Sequence, residues 1–174
     1  MIVTSTAEVR WFSVGPIPNA VTAWYDAHGP ASPVDRRTDH YLDPTDAALG
    51  VKVRSGRVEA KRRQSVLAAR HAGARVERWT KWSFPLAGGA YPDTGWVAVE
   101  KARRQRGHRL AGGVCGIELT TVHLGPDAWW TVGLEATGPD PEAALAAGAA
   151  RWLADAPPLG EPLGYPAWLL AHAG

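Results

Sequence analysis

Lysine, arginine and glutamate recur at every second position along several short segments of the sequence. Glu8 and Arg10 flank Val9, and Lys52 and Arg54 alternate with valines. Guanidinium and ammonium groups neutralise phosphate oxygens, and carboxylates placed among them can hold a divalent ion that bridges phosphates. If these side chains converge in the folded chain, the chemistry they serve is the recognition of a polyanion.

The segments that carry these charges are typical of β-strands, because a period of two sends alternate side chains to opposite faces of a sheet. Gly, Pro, Ser and Asp separate the segments, which is typical of antiparallel β proteins. Eight strands are predicted: Ala7–Val14, Arg36–Leu42, Leu49–Arg54, Arg57–Arg63, Ala74–Phe84, Gly95–Arg104, Gly113–Val122 and Ala128–Thr137.

Helices are fewer than strands. Three are predicted: from Pro18 to about Ala27, from Pro141 to about Ala154, and Tyr165–Ala171. Asp140 before Pro141 is the pattern of an N-cap followed by a first-turn proline. For the segment Gln64–His71, the sequence is compatible with either a short helix or a loop.

The charged faces of the strands can be sorted once the register is fixed. Ser55-Gly56 predicts a two-residue turn that sets Lys52 opposite Glu59. Ten bases and six acids then share one face: Arg10, Lys52, Arg54, Arg57, Lys61, Arg63, Arg75, Lys81, Lys101 and Arg103, with Glu8, Asp39, Glu59, Glu77, Glu118 and Glu135. This surplus of four positive charges exceeds the formal net charge of +2 for the whole chain. Trp79 and Trp129 fall on the same face, where core packing and stacking on a ligand ring both stay open.

A half-exposed sheet with its charges in water would account for one such strand. Charges recur on nearly every strand, however, and several strands carry both signs on one face, which favours a sheet that closes around them. We therefore predict a mainly β (α+β) protein with a single domain over residues 1–174. Its predicted architecture is an eight-stranded antiparallel closed tunnel or barrel with a few helices packed outside. The alternative is an apolar-ligand barrel or plain scaffold whose charges face water.

Composition and the lack of certain motifs exclude several function classes. A net charge of +2 argues against a nucleic-acid or membrane partner, and the single Cys115 excludes an internal disulfide or a cysteine-cluster metal site. The sequence has no phosphate loop, dinucleotide-binding glycine pattern or nucleophile elbow. Without a long apolar run or a signal peptide, a cytoplasmic protein is expected. The basic run Arg103–Arg109 has two interpretations, a solvated hairpin tip or a contact with RNA or a membrane.

Several short segments are informative through their order along the chain. They are Glu8-Val9-Arg10, Asp39-His40-Tyr41-Leu42-Asp43, Leu49-Gly50-Val51-Lys52-Val53-Arg54, Glu59-Ala60-Lys61, Val99-Glu100-Lys101-Ala102-Arg103, Ile117-Glu118-Leu119, Leu134-Glu135 and Tyr165-Pro166-Ala167-Trp168-Leu169-Leu170. In this succession the chain resembles the CYTH family, also called triphosphate tunnel metalloenzymes. Its members include class IV adenylate cyclases, thiamine triphosphatases and inorganic triphosphatases.

The resemblance implies a tunnel that binds a triphosphate, with Mg²⁺ or Mn²⁺ held by glutamates. It implies phosphate contacts from Lys52, Arg54, Lys61, Lys101 and Arg103, and metal contacts from Glu8, Glu118 and Glu135. The charged face adds Arg10, Arg63 and Lys81 to the substrate-binding set, and the catalytic residues expected are Lys61, Glu118 and Glu135. The expected partner is a small phosphorylated molecule or inorganic polyphosphate.

The first strand departs from the family's Glu-x-Glu-x-Lys motif. Arg10 stands in place of the second glutamate, and Phe12 stands in place of the lysine. One metal carboxylate and one phosphate contact are lost, while Arg10 can supply phosphate affinity without metal. Two functions therefore stay open: a metal-dependent phosphohydrolase, and a non-catalytic module that binds a polyphosphate or nucleotide in the tunnel.

Overall fold

A computed structural model describes residues 1–86 and 94–173, and within them the chain forms a closed antiparallel barrel of eight strands with three helices. The strands are β1 Ile2–Val14, β2 Asp35–Leu42, β3 Leu49–Arg54, β4 Arg57–His71, β5 Ala74–Pro85, β6 Trp96–Leu110, β7 Gly113–Leu124 and β8 Asp127–Thr137. The helices are α1 Asn19–Ala27, α2 Pro141–Trp152 and α3 Tyr165–His172, and a two-residue strand, β9 Glu161–Pro162, pairs with β1. Residues 87–93 and 174 of the predicted domain lie outside the described residues.

The barrel closes through its first strand, which pairs with both β5 and β8. The strand order is β5-β4-β3-β2-β6-β7-β8-β1, and the additional β5–β1 pairing joins the two ends. Glu8 lies opposite Glu77 of β5 on one side and Glu135 of β8 on the other. Closure gives every strand an inner and an outer face, so the alternation in the sequence becomes a division between the bore and the outer wall. The predicted fold is confirmed.

Helices α1 and α2 cover the outer, apolar face of the barrel. The residues buried there include Trp11, Ile117 and Leu134 from the strands, Trp24 and Tyr25 from α1, and Leu145 and Trp152 from α2. Each large apolar side chain buried in this way contributes about 1.5–3 kcal/mol to stability. Asp140 caps α2 as predicted, since its carboxylate accepts a hydrogen bond from the Ala143 amide at 3.0 Å.

Unlike α1 and α2, helix α3 closes one end of the bore. Phe12 belongs to the inner face of β1, two residues from Arg10, and stacks on Trp168 of α3 with ring centroids 4.7 Å apart. The cluster at this end comprises Phe12, Tyr41, Val99, Val122, Leu124, Tyr165, Trp168 and Leu169. Helix α3 has only eight residues, and four of them are buried: Tyr165, Pro166, Trp168 and Leu169. Because these lie on more than one side of the helix, α3 needs apolar contacts on several sides.

Two segments differ from the sequence prediction. Gln64–His71 is neither helix nor loop but the continuation of β4, where shifts in register between Arg63 and Ser65 and between Val66 and Arg70 interrupt the simple alternation. The basic run Arg103–Arg109 is not a hairpin tip, since β6 stays paired with β7 as far as Leu110 opposite Gly113. Within the described ranges, the structure has no helix with the length and hydropathy needed to cross a membrane.

Candidate functional site

A cavity of about 320 Å³ occupies the bore between the α3 end and the opposite mouth of the barrel. Nine lysines and arginines and four glutamates line it in the described part of the chain. The guanidinium of one of them, Arg106, lies over the Tyr25 ring on the outer side, so eight cations serve the bore itself. Most of the charges predicted to share one face therefore converge on this cavity.

All but one of the predicted site residues line this cavity. They are Glu8, Arg10, Lys52, Arg54, Lys61, Lys81, Lys101, Arg103, Glu118 and Glu135. The exception is Arg63, whose guanidinium lies over the Trp79 ring and pairs with Glu77. Trp79 is completely buried and is itself covered by Lys61, 4.3 Å from its ring, so Arg63 reaches a second cavity near α3 instead.

Two other arginines of the predicted charged face, Arg75 and Arg57, also do not line the cavity. Arg75 is exposed and donates to the carbonyl oxygens of Leu67 and Val66, while Arg57 donates to Ser83 Oγ at 2.8 Å. Parity along a strand selects the correct face in each case. It does not say how deep in the barrel a residue lies, and depth decides which side chains meet the cavity.

Asp39 anchors the most buried group of charges. It is fully buried, and its carboxylate contacts Lys101 Nζ at 3.0 Å and Lys52 Nζ at 3.2 Å. Arg37 Nε adds a third contact at 2.9 Å. Burial alone would raise the pKa of Asp39, but the Lys101 and Lys52 charges outweigh burial and hold that pKa well below its ordinary value. The carboxylate therefore stays ionised and fixes two cavity lysines in place.

Arg10 crosses the bore from β1 towards β7 and β8. Its guanidinium pairs with Glu118 at 2.6 Å, donates to Thr131 Oγ1 at 3.2 Å and lies 4.8 Å above the Tyr165 ring. Gly133 makes this position accessible, because a Cβ there would approach Arg10 Nη2 to 2.5 Å. Burial would raise the pKa of Glu118, but the charges of Arg10, Arg103 and Lys101 and the hydrogen bond from Arg10 together outweigh burial and lower the pKa to about 2.

The remaining pairs become looser towards the mouth. Lys61 Nζ contacts Glu8 at 2.7 Å, and Arg54 contacts Glu59 at 3.0 Å, whereas Lys81 and Glu135 are 3.8 Å apart. The Glu135 side chain is 43% exposed. Burial and the charge of the facing Glu8 together raise the pKa of Glu135.

The three glutamates predicted to hold Mg²⁺ or Mn²⁺ do not form a common ligand set. Glu118 is held by Arg10, Glu8 is held by Lys61, and only Glu135 lacks a close cation. Among the described residues, no three His, Cys, Asp or Glu side chains are grouped to hold a metal ion. The donor set in this arrangement does not fit a resident divalent cation, because a positive side chain occupies the place beside each buried carboxylate.

Several residues at the cavity were not among those predicted to act there. They are Arg37, Tyr41, Gln105, Thr120 and Tyr165. Arg37, Tyr41 and Thr120 share strand faces with predicted site residues, so strand parity was sufficient to find them. Tyr165 lies on α3, and an apolar helix gives no signal of where it docks. Trp79 and Trp129, open to stacking on a ligand, do not line the cavity, and Trp129 packs against Trp168 and His172.

No protein family and no curated protein sequence matches the chain. The resemblance to the CYTH family therefore stays a prediction that rests on the segments quoted above. The chemistry of the cavity has to be argued from its own residues.

Proposed function

We propose that the cavity binds the polyphosphate part of a small phosphorylated molecule, or inorganic polyphosphate, without needing a resident metal ion. The observation that supports this most directly is the excess of cations in an enclosed space. Eight lysines and arginines face six carboxylates, which are the four lining glutamates, the buried Asp39, and Asp35 beside Arg37 and Arg103. A polyanion would neutralise the excess charge.

The chemistry of the lining suits phosphate oxygens. Arg54 and Arg103 each offer five donors, and their contacts with carboxylates use only some of them. Hydrogen bonds between charged groups are about twice as strong as neutral ones, and partial burial strengthens them further. Because the ion pairs already hold these side chains, little conformational entropy remains to be lost when a ligand enters.

Arg10 is the main reason to favour binding without metal. Its guanidinium lies next to Glu118 and within the electrostatic influence of Glu8, where it supplies a fixed positive charge. Burial opposes its charged form, but Glu118, Tyr165 and Glu8 together outweigh burial and raise the pKa of Arg10. The Arg10 side chain therefore stays positively charged, and this charge leaves the bore only if the side chain moves.

A second candidate, hydrolysis of the bound polyphosphate, is favoured by Glu135. This carboxylate has a raised pKa, lies opposite Glu8 and is half-exposed at the mouth beside Lys81. A base in this position can take a proton from a water molecule whose oxygen attacks a phosphoryl group. The bridging P–O bond breaks, and the rest of the phosphate chain leaves with the negative charge, which Lys81 and Lys61 stabilise. The resemblance to the CYTH family adds Mg²⁺ or Mn²⁺ as the ions with which turnover has to be assayed.

Calorimetric titration with sodium tripolyphosphate in EDTA tests the proposal. Lys61→Gln and Arg75→Gln each remove one positive charge, but only Lys61 lines the cavity. We expect Lys61→Gln to weaken binding about tenfold, as loss of a charged hydrogen bond predicts, and Arg75→Gln to leave it unchanged. No binding by the unaltered chain, or equal losses in both variants, would overturn the proposal.

Phosphate release from tripolyphosphate, thiamine triphosphate and ATP, with Mg²⁺ and with Mn²⁺, separates the two candidates. Turnover that Glu135→Gln abolishes while binding persists would establish the phosphohydrolase. Tight binding in EDTA without turnover in any mixture would establish the binding module.

A further inference from the structure

We propose that the closed end of the cavity is a seat for a terminal phosphoryl group, so that the protein selects phosphate chains with a free end. This inference rests on the proposed function and names the class of ligand more narrowly. It is carried by a layer of side chains next to the α3 plug and by polar atoms in that layer that have no partner.

The positions of residues along the strands identify this layer. Arg10, Lys101, Thr120 and Thr131 each stand two residues from an apolar side chain of the closed end, namely Phe12, Val99, Val122 and Trp129 respectively. Thr120 lies opposite both Thr131 and Arg103 on the neighbouring strands. These residues therefore form the last polar ring of the bore before it becomes hydrocarbon.

Tyr165 covers this ring from the α3 side. Its aromatic face receives Lys101 Nζ at 3.9 Å and the Arg10 guanidinium at 4.8 Å. Phe12 and Trp168 pack behind it, with the Phe12 and Tyr165 centroids 5.0 Å apart. A ligand that enters from the mouth meets two cations here and a wall of rings behind them, so the end of the ligand must stop at this layer.

Polar atoms in the layer lack hydrogen-bond partners among the described residues. Thr120 Oγ1 and the Tyr165 hydroxyl are both without one, although Thr120 is 1% and Tyr165 8% exposed, and Arg103 Nε is a third such atom. Both hydroxyl-bearing residues line the cavity. Buried polar groups are nearly always satisfied, so these unpartnered groups are available to a ligand that accepts hydrogen bonds.

A terminal phosphoryl group matches this surround better than an internal one. It carries the larger negative charge and three non-bridging oxygens, against two for an internal phosphate. The permanently charged Arg10 and the unpartnered donors can bind these oxygens together. Burial raises the pKa of Tyr165, so its hydroxyl keeps its proton and can donate it. A cyclic phosphate, or a chain esterified at both ends, has no such group to present.

Competition between linear and cyclic phosphates tests the inference. Pyrophosphate and tripolyphosphate have free ends, whereas trimetaphosphate is a ring without one. By calorimetric titration in EDTA, we expect pyrophosphate to bind at least about tenfold more tightly than trimetaphosphate, because a site built for hydrogen bonding rejects a ligand that leaves its donors unpaired. In the double variant Thr120→Val with Tyr165→Phe, this preference should fall to about threefold or less, with most of the loss on the pyrophosphate side.

Matched controls keep the result interpretable. Thr121→Val alters the outward side of the same strand, and Tyr25→Phe alters a buried tyrosine outside the bore. Both should preserve the preference, and Thr120→Ser, which retains the hydroxyl, should preserve it even if Thr120→Val fails to fold.

The outcomes separate this inference from the proposed function. If the unaltered chain binds no phosphate of any kind, both fail. If it binds pyrophosphate and trimetaphosphate equally, or if the double variant keeps the full preference, the terminal seat is wrong while polyphosphate binding stands.

Discussion

The two ends of the cavity are built from the same kinds of side chain but differ in how firmly these are held. At the closed end, Lys101 is 3% exposed and touches Asp39, Tyr41 and the Tyr165 ring. At the mouth, Lys81 is 31% exposed, and Glu135 lies 3.8 Å away from it. The closed end is thus an ordered arrangement of charges, and the mouth is a solvated rim.

This difference assigns separate physical tasks to the two ends. Charges held in a dry surround act at short range and with geometric selectivity, since little solvent screens them. Charges at a wet rim act at long range and are weakened by salt. We therefore expect substitutions at the closed end to change stability and ligand selection, and those at the mouth to change the rate of capture.

The largest effect is expected from Asp39→Asn. It leaves Lys101 and Lys52 without their shared carboxylate in a buried setting, and breaking such a group costs about 3–5 kcal/mol of unfolding free energy. Urea denaturation measures the loss. Asp35→Asn, which affects a carboxylate 43% exposed, should cost about 1 kcal/mol or less. Equal losses would contradict the contrast between buried and exposed pairs.

Gly133→Ala should have the next largest effect. The new Cβ would displace the Arg10 guanidinium from Glu118, and overpacking of this kind costs about 1–3 kcal/mol. Gly116→Ala is a matched control, since its Cβ would come no closer than 3.4 Å to its nearest neighbour, the Arg106 carbonyl oxygen. Thermal unfolding should separate the two variants, and a Gly133→Ala protein as stable as Gly116→Ala would show that Arg10 has room to move.

Acid should weaken the closed end through Glu118. The pKa of this carboxyl falls from its ordinary 4.5 to about 2 in the folded state, because Arg10 and the other nearby cations together outweigh burial. Its contribution is therefore present in full well above pH 4.5 and is lost as the pH falls towards 2, with about 2 kcal/mol gone by about pH 3. Denaturation at several pH values should show this loss in the unaltered chain and a smaller one in Glu118→Gln.

The smallest effect is expected at the mouth. Lys81→Ala should lower tripolyphosphate affinity about threefold, mainly through slower association, because a rim charge steers the ligand more than it holds it. Stopped-flow association at two salt concentrations measures this, and the difference from the unaltered chain should shrink at high salt. A change confined to dissociation would place Lys81 with the closed end instead.

The strand pattern predicted the fold because side chains of opposite character alternate along Leu49–Arg54 and, within the predicted strand Gly113–Val122, along Ile117–Thr120. It also predicted ten of the cavity residues, since closure of the sheet turns one shared face into a lining. Gln64–His71 was missed because two irregularities of register shift the alternation there.

The parts that could not be predicted depend on depth and docking. Arg63 has the correct parity, but the bulk of Trp79 separates it from the cavity. Tyr165 reaches the cavity only because α3 enters the bore, and a helix that is apolar on several sides carries no periodic signal of its target. These outcomes depend on how side chains fill space in three dimensions, which a one-dimensional pattern does not contain.

The seam on either side of β1 also bears on how the chain folds. Arg10 and Glu118 are neighbours in space although more than a hundred residues separate them along the chain. Joining such distant segments requires large loops to be closed first, which places the protein among slow, millisecond-to-second folders. We therefore expect the bore to lose its water late in folding, with its charges hydrated until the wall is nearly complete. Water would then screen the like charges from one another until their carboxylate partners arrive.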